Sequence, residues 1–295
     1  MALGAQRLLA EIVVSSRRFG VILCPTDFSP HSAAGLCMAG GIARAWQERV
    51  VLLHVHRWEI PAYFTKPQAR ALKAQLRRST RTALRYAEDF AAKYLPEGVG
   101  RTVLLLEEDP VEAVLRVARE LHAGMIVLGL QGRTGLARLQ LGSITESLLR
   151  QLETPALTVG PRVQPSPRLA QIRRILCPIN YTPLARAAFD EAASLVEKTG
   201  AELVLVHVAE HHGAHEGERL SEWVREKSGS RCGVKEVMVK GVAAEEIVNA
   251  ARRCRADLIV QGAQPRSFGG TVLFGSTSEL VIRKAACPVL SVIQP

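Results

Sequence analysis

GLQGRTGLARLQLGS, residues 129–143, carries glycines at Gly129, Gly132 and Gly142, with Ser143 beside the last and Thr145 two further on. The four residues before it, Met125-Ile126-Val127-Leu128, form a short apolar run suited to a buried parallel strand. After it, Ile144–Leu149 has the apolar spacing of a helix. The stretch therefore joins the end of a strand to the start of a helix, where an open α/β sheet places its ligand. Glycine at 129 and 132 permits positive φ and a close approach of backbone N–H groups to an anion. A helix opening at Gly142-Ser143 has first-turn N–H groups without internal partners. Those donors, the helix dipole and the hydroxyls of Ser143 and Thr145 suit phosphate oxygens. A plain glycine loop with Ser143 as the helix cap fits the same letters without a ligand. Neither G-x-x-x-x-G-K-[ST] nor G-x-G-x-x-G after a strand occurs.

Outward from this stretch the chain repeats itself. Ile22-Leu23-Cys24-Pro25 returns as Ile175-Leu176-Cys177-Pro178, the helix start Ser29-Pro30 as Thr182-Pro183, and Val51–Val55 as Val204–Val208. The offset is constant, since 175 − 22, 182 − 29 and 207 − 54 all equal 153. The back halves match at 133, through Gly129 and Gly262, Gly142-Ser143 and Gly275-Ser276, and Pro155 and Pro288. Constant offsets through strand, cap and strand indicate duplicated domains. The first copy holds 153 − 133 = 20 more residues, near Tyr63–Pro96, as a long helix with Leu72, Leu76, Ala83, Leu84 and Ala87 on its core side. Each copy alternates strands with helices, which predicts a parallel sheet covered on both faces. The Pro-rich stretch from Pro161 to Arg168 reads as an extended linker, and residues 1–18 as a short amphipathic lead.

The spacing Gly-x2-Gly-x9-Gly-Ser resembles the ATP-binding motif of the universal stress protein family, Gly-x2-Gly-x9-Gly-(Ser/Thr). With both copies counted, the resemblance covers nearly the whole chain after residue 18. It implies two tandem open five-stranded parallel sheets of order 3-2-1-4-5 with helices on both faces, of the adenine nucleotide alpha-hydrolase-like class. Domain 1 would span 19–161, a linker 162–172 and domain 2 173–295. Tandem members are similar to a dimer made within one chain, so Ala156–Val159 and Val289–Ile293 would face each other, and a homodimer of the whole chain is a further expectation. The resemblance implies ATP (or AMP or ADP), with Mg²⁺ as a companion, in domain 1. Pro25, Thr26, Asp27 and Val55 would meet the nucleoside. Gly129, Gly132, Gly142, Ser143 and Thr145 would hold the phosphates, with Leu128, Arg133 and Ile144 completing the set. The second copy departs from this pattern at Asn180, in place of Asp27, and at Pro265, in place of Gly132, which removes an N–H donor.

With 295 residues, 47% of them hydrophobic, the chain is long enough for about two globular domains, and general disorder is excluded. No apolar run reaches the roughly 18 residues of a membrane span, and no signal-peptide pattern opens the chain. A cytoplasmic location is the expectation. Six cysteines show neither C-x-x-C nor zinc-finger spacing, and Cys24 and Cys177 read as buried free thiols. The net charge of +10 favours an acidic partner. Arg70, Lys73, Arg77, Arg81 and Arg85 share one helical face, a solvated surface or a dock for an anionic partner. Aromatics at 5% and the lack of a stacking motif disfavour nucleic acid. His211, His212 and His215 could ligate Zn²⁺ or Ni²⁺, with a solvated loop as the alternative. His54 and His207 read as packed, hydrogen-bonded side chains. No catalytic residue is assigned. The leading expectation is a nucleotide-binding stress-response module. A slow ATPase or phosphotransferase, and a scaffold presenting the basic helix, are the alternatives.

Overall fold

The computed structural model describes residues 20–56, 65–130, 142–209, 220–224, 234–263, 265–268 and 271–293, apart from the side chains of 66, 68–79, 265–268 and 271–274. Its centre is a ten-stranded sheet of order β3-β2-β1-β4-β5-β12-β9-β6-β7-β8. In the first half, β1 (Val21–Pro25), β2 (Arg49–His56), β3 (Gly100–Glu107), β4 (Met125–Gly129) and β5 (Ala156–Val159) run parallel in the order 3-2-1-4-5. The second half repeats that order with β6 (Arg174–Ile179), β7 (Glu202–Ala209), β8 (Val234–Lys240), β9 (Leu258–Gly262) and β12 (Val289–Val292). The halves join where β5 meets β12 antiparallel, with Leu157 opposite Leu290. The expected facing of the last strands is therefore a continuous sheet, and Thr158 Oγ1 donates across it to the Val289 carbonyl at 3.1 Å.

Each half starts its first helix in the same way. In α1 (Pro30–Trp46), the Ser29 Oγ accepts from the Ser32 N–H, and proline holds the first helical position. In α5 (Pro183–Thr199), Thr182 does the same for the Ala185 N–H. The inserted helix is α2 (Lys66–Tyr94). Its core side is Ala87, as expected, with Phe90 and Ala91, and Ala83 is half-buried, while Leu84 is exposed, so the expected stripe is corrected at Leu84. Phe90 rather than Leu84 meets the core, because its ring packs edge-on against Phe28. The side chains of Leu72 and Leu76 lie outside the described residues. So do those of Arg70, Lys73 and Arg77, whereas Arg81 and Arg85 are exposed.

The stretch expected to be an extended linker has no regular structure at 163–166, and its end enters a 3₁₀ turn at Pro167–Ala170 that packs on α1. Contact is close enough that a Cβ on Gly41 would fall 2.4 Å from the Ala170 carbonyl oxygen. The halves also exchange residues, with Ile293 of the second half joining the first half's cluster as well. Leu130, just after β4, is buried in the second half's helical layer, and Ala263, its counterpart 133 positions on, is buried in the first half's. β10 (Pro265–Phe268) and β11 (Thr271–Phe274) pair as an antiparallel ribbon. The glycine pair between them in sequence, Gly269-Gly270, is the usual signal for a two-residue hairpin connection. Cys24 and Cys177 are buried and free, and burial pushes both thiols up. Among the described residues no helix is long and apolar enough to cross a membrane.

Candidate nucleotide site

Strand order reverses between β1 and β4, and the two strands pair only at Ile22–Met125 and Leu23–Ile126. Pro25 has no N–H to donate, so the ladder cannot continue there, and the carboxyl ends part. A cavity of about 280 Å³ opens in the gap. Pro25, Thr26 and Asp27 line it from β1, Leu53, His54 and Val55 from β2, and Leu128 and Gly129 from β4. The helices α3 (Pro110–Glu120) and α4 (Ser143–Gln151) close its sides, through Pro110 and Val114, and through Gly142, Ser143, Ile144, Thr145 and Leu148. Residues Gly132 and Arg133, like His211, His212 and His215, lie outside the described residues. Every other residue expected at the site reaches this one cavity.

The β1 turn is shaped by Phe28, which sits in the left-handed region at φ 61°, as its counterpart Tyr181 does at φ 62°. That conformation costs an ordinary residue about 1 kcal/mol. Here the Phe28 ring is held 4.5 Å from His54 and 4.8 Å from Tyr86. Asp27 is left at the cavity wall, with its Oδ1 accepting the Ser29 N–H at 3.0 Å. Thr26 and Ser32 share a hydroxyl hydrogen bond of 2.9 Å beneath it. His54 Nδ1 lies 2.7 Å from the Thr26 carbonyl, an acceptor only, so Nδ1 carries the proton. His54 is thus the packed, bonded histidine expected, and it also borders the cavity. Neighbouring His31 has Nδ1 buried without a hydrogen-bond partner. Burial lowers its pKa, against the pull of the Asp27 charge.

The helix opens at Gly142-Ser143 as expected, and the alternative with Ser143 as its cap is corrected. Gly142, not Ser143, is the N-cap, at φ −61° and ψ 141°, and no side chain caps α4. Glu146 is the first residue of the helix whose N–H finds an intrahelical acceptor, the Gly142 carbonyl at 2.8 Å. The amides of Ser143, Ile144 and Thr145 precede it at the cavity wall. The Thr145 hydroxyl donates to the Gly129 carbonyl at 2.8 Å, so its proton is committed to the fold. Gly129 itself is not in a left-handed conformation. It is glycine because α1 crosses over it, and a Cβ there would stand 3.1 Å from both His31 Cβ and the Ser32 nitrogen.

The second half keeps the plan. Its cavity, about 290 Å³, lies between β6 and β9, beside α6 (Ala243–Cys254) and at the start of α7 (Ser276–Lys284). The Ser278 hydroxyl donates to the Gly262 carbonyl, as Thr145 does to Gly129. A profile described as the Universal stress protein family matches residues 18–160 and again 171–292.

The chain belongs to the universal stress protein family.

It is 29% identical over 209 residues to Universal stress protein Rv2005c of Mycobacterium tuberculosis, covering 63% of this chain and 66% of that protein, just under two thirds of its length. It is 26% identical over 304 residues to a universal stress protein of Mycolicibacterium smegmatis, covering 96% and 100%. The crystal structure of a universal stress protein from Archaeoglobus fulgidus superposes with a TM-score of 0.69 at 22% identity, covering 93% of this chain and 98% of that one, which establishes the shared fold. Sequence reading missed Ser32, Leu53, His54, Pro110, Val114 and Leu148 as cavity residues. Pro110 was findable, because Asp109-Pro110 marks a helix start at the same sheet edge. Ser32 lies in the first turn of its helix and Leu148 in the second turn of its own, and neither carries a separate signal.

Proposed function

We propose that this universal stress protein is a regulatory module that binds an adenine nucleotide, ATP, ADP or AMP, in the first cavity. One observation carries the reading, namely that α4 begins at the cavity wall with three first-turn amides that no side chain caps. A helix start of this kind attracts phosphate through its free N–H groups and its dipole. The other end of the cavity suits a nucleoside. Val55 and Leu128 give apolar walls, and the Asp27 carboxylate can accept from hydroxyl or amine donors. Phosphates would then meet Gly142, Ser143, Ile144 and the Thr145 amide, with Gly132 and Arg133 of the preceding loop completing the hold. Mg²⁺ carried by the nucleotide would offset phosphate charge.

Binding would alter the surface offered to a partner. Native mass spectrometry of the purified chain tests the reading. Co-purified adenine nucleotide at one per chain is expected. A chain that emerges bare and takes up no nucleotide when ATP is added rejects it.

A further inference from the structure

The ten-stranded sheet ends in two outer strands, β3 and β8. They are built differently. β8 carries Lys235, Glu236 and Lys240, all exposed, and lysine on an edge is a common guard against pairing with another chain. β3 has neither lysine nor proline, and its middle is Val103-Leu104-Leu105-Leu106. Its inner side pairs with β2 along its whole length, and among the described residues no strand pairs with its outer side. An apolar edge of this kind is a template for another strand, because its outward N–H and C=O groups find no acceptor or donor within the sheet.

The pattern along β3 is self-complementary. With β3 set antiparallel to a second copy about a twofold axis through Leu104, Arg101 stands opposite Glu107 and Glu107 opposite Arg101, while Val103 faces Leu105. Arg101 and Glu107 are an even number of residues apart, so both lie on one face of the strand, and both are exposed. Thr80 Oγ1 at 3.2 Å and His56 Nε2 at 3.7 Å both meet Glu107 through Oε1, which leaves Oε2 for a guanidinium. The bond from Thr80 also shows which flank of α2 runs beside β3. Leu84, one turn further on, shares that flank and is 37% exposed. Tyr86 turns to the opposite flank, where its ring meets Phe28. A twofold axis normal to the sheet would set α2 of both copies on the same side, where each Leu84 is covered. We infer that β3 is a homodimer interface, at which two copies of this chain join edge to edge and antiparallel into one continuous sheet.

Sedimentation equilibrium on the full chain tests this, and a species of twice the chain mass is expected. Arg101→Glu sets like charges opposite each other at both ends of the pairing and should raise the dissociation constant about tenfold or more. Combining Arg101→Glu with Glu107→Arg restores opposite charges and should bring the constant back to within about threefold. Leu84→Asp, at an exposed helical position, should also weaken the dimer about tenfold, and serves if changes in β3 lower folding. The register is read by Arg101→Cys combined with Glu107→Cys. These positions lie about 20 Å apart along one strand, too far for a bridge within a chain, but directly opposite across the twofold. Mild oxidation should link two copies in the double variant and in neither single one. The inference is overturned if the chain stays monomeric at about 100 μM. It is equally overturned if a dimer ignores both Arg101→Glu and Leu84→Asp, or if the single cysteine variants link as readily as the double.

Discussion

Replacing Gly142 by aspartate separates the fold of the first site from its ligand. Gly142 is the N-cap of α4 at φ −61° and ψ 141°, an extended conformation open to any residue, so the change adds no backbone strain. Aspartate is among the best N-caps. It should add a few tenths of a kcal/mol over glycine through its bond to a first-turn amide, and about 0.3–1 kcal/mol through the helix dipole. The same carboxylate would take donors that a phosphate needs and place a negative charge beside it. At about 4 Å and an effective dielectric of about 20, each unit of phosphate charge is repelled by about 4 kcal/mol, close to a thousandfold in affinity. The chain should therefore become slightly more stable while ATP affinity collapses by at least about a hundredfold. Calorimetric titration with ATP, beside thermal unfolding, reads both, and Gly275→Asp in the second half is the control that leaves ATP affinity intact. ATP binding within about threefold of the original, or a melting temperature lowered by more than about 5 °C, would refute the reasoning.

Other consequences concern packing, coupling and pH. Gly262→Ala would set a Cβ 2.5 Å from Leu184 Cγ and 2.8 Å from its carbonyl oxygen, whereas Gly129→Ala meets nothing nearer than 3.1 Å. Chemical denaturation should show a loss of about 2–3 kcal/mol for the former and about 1 kcal/mol for the latter, and the reverse order would contradict the packing. Leu130→Ala should cost about 2–5 kcal/mol, because this first-half residue fills the second half's core. A loss under about 1 kcal/mol in equilibrium unfolding would show that the exchange does not stabilise the chain. Burial lowers the His31 pKa from 6.5, so the unfolded chain binds that proton more readily and stability should decline as pH falls through 6.5. His56, lowered by burial and by His54, adds a loss of the same sign. His31→Leu, which installs the residue found at the matched Leu184, should flatten the decline in melting temperature between about pH 7.5 and 5.5. Equal slopes would contradict the assignment.

The architecture was legible because duplication multiplies weak signals. Ile22-Leu23-Cys24-Pro25 alone is an ordinary apolar run, but its return 153 positions later, with an equivalent cap and the same histidine strand, shows the duplication, while the strand order came from the family resemblance. The phosphate-side residues were legible because they lie at a strand end or a helix start, which spacing locates, and those on the nucleoside side through the resemblance. What was hidden depends on contacts distant in sequence. Gly129 looked like a hinge for positive φ, yet its small size serves the crossing of α1. The 3₁₀ turn at Pro167–Ala170 and the mutual burial of Leu130 and Ala263 arise only once the halves are joined. The β10–β11 ribbon was written in Gly269-Gly270, but the match to a phosphate loop in the first copy masked the hairpin pattern.

A crystal structure of the full chain grown with ATP tests the central claim most directly. The account predicts one nucleotide between β1 and β4, its phosphates on the amides of Ser143, Ile144 and Thr145 and its nucleoside beside Asp27 and Val55. A first cavity filled by protein side chains, or ATP bound elsewhere on the molecule, would contradict it.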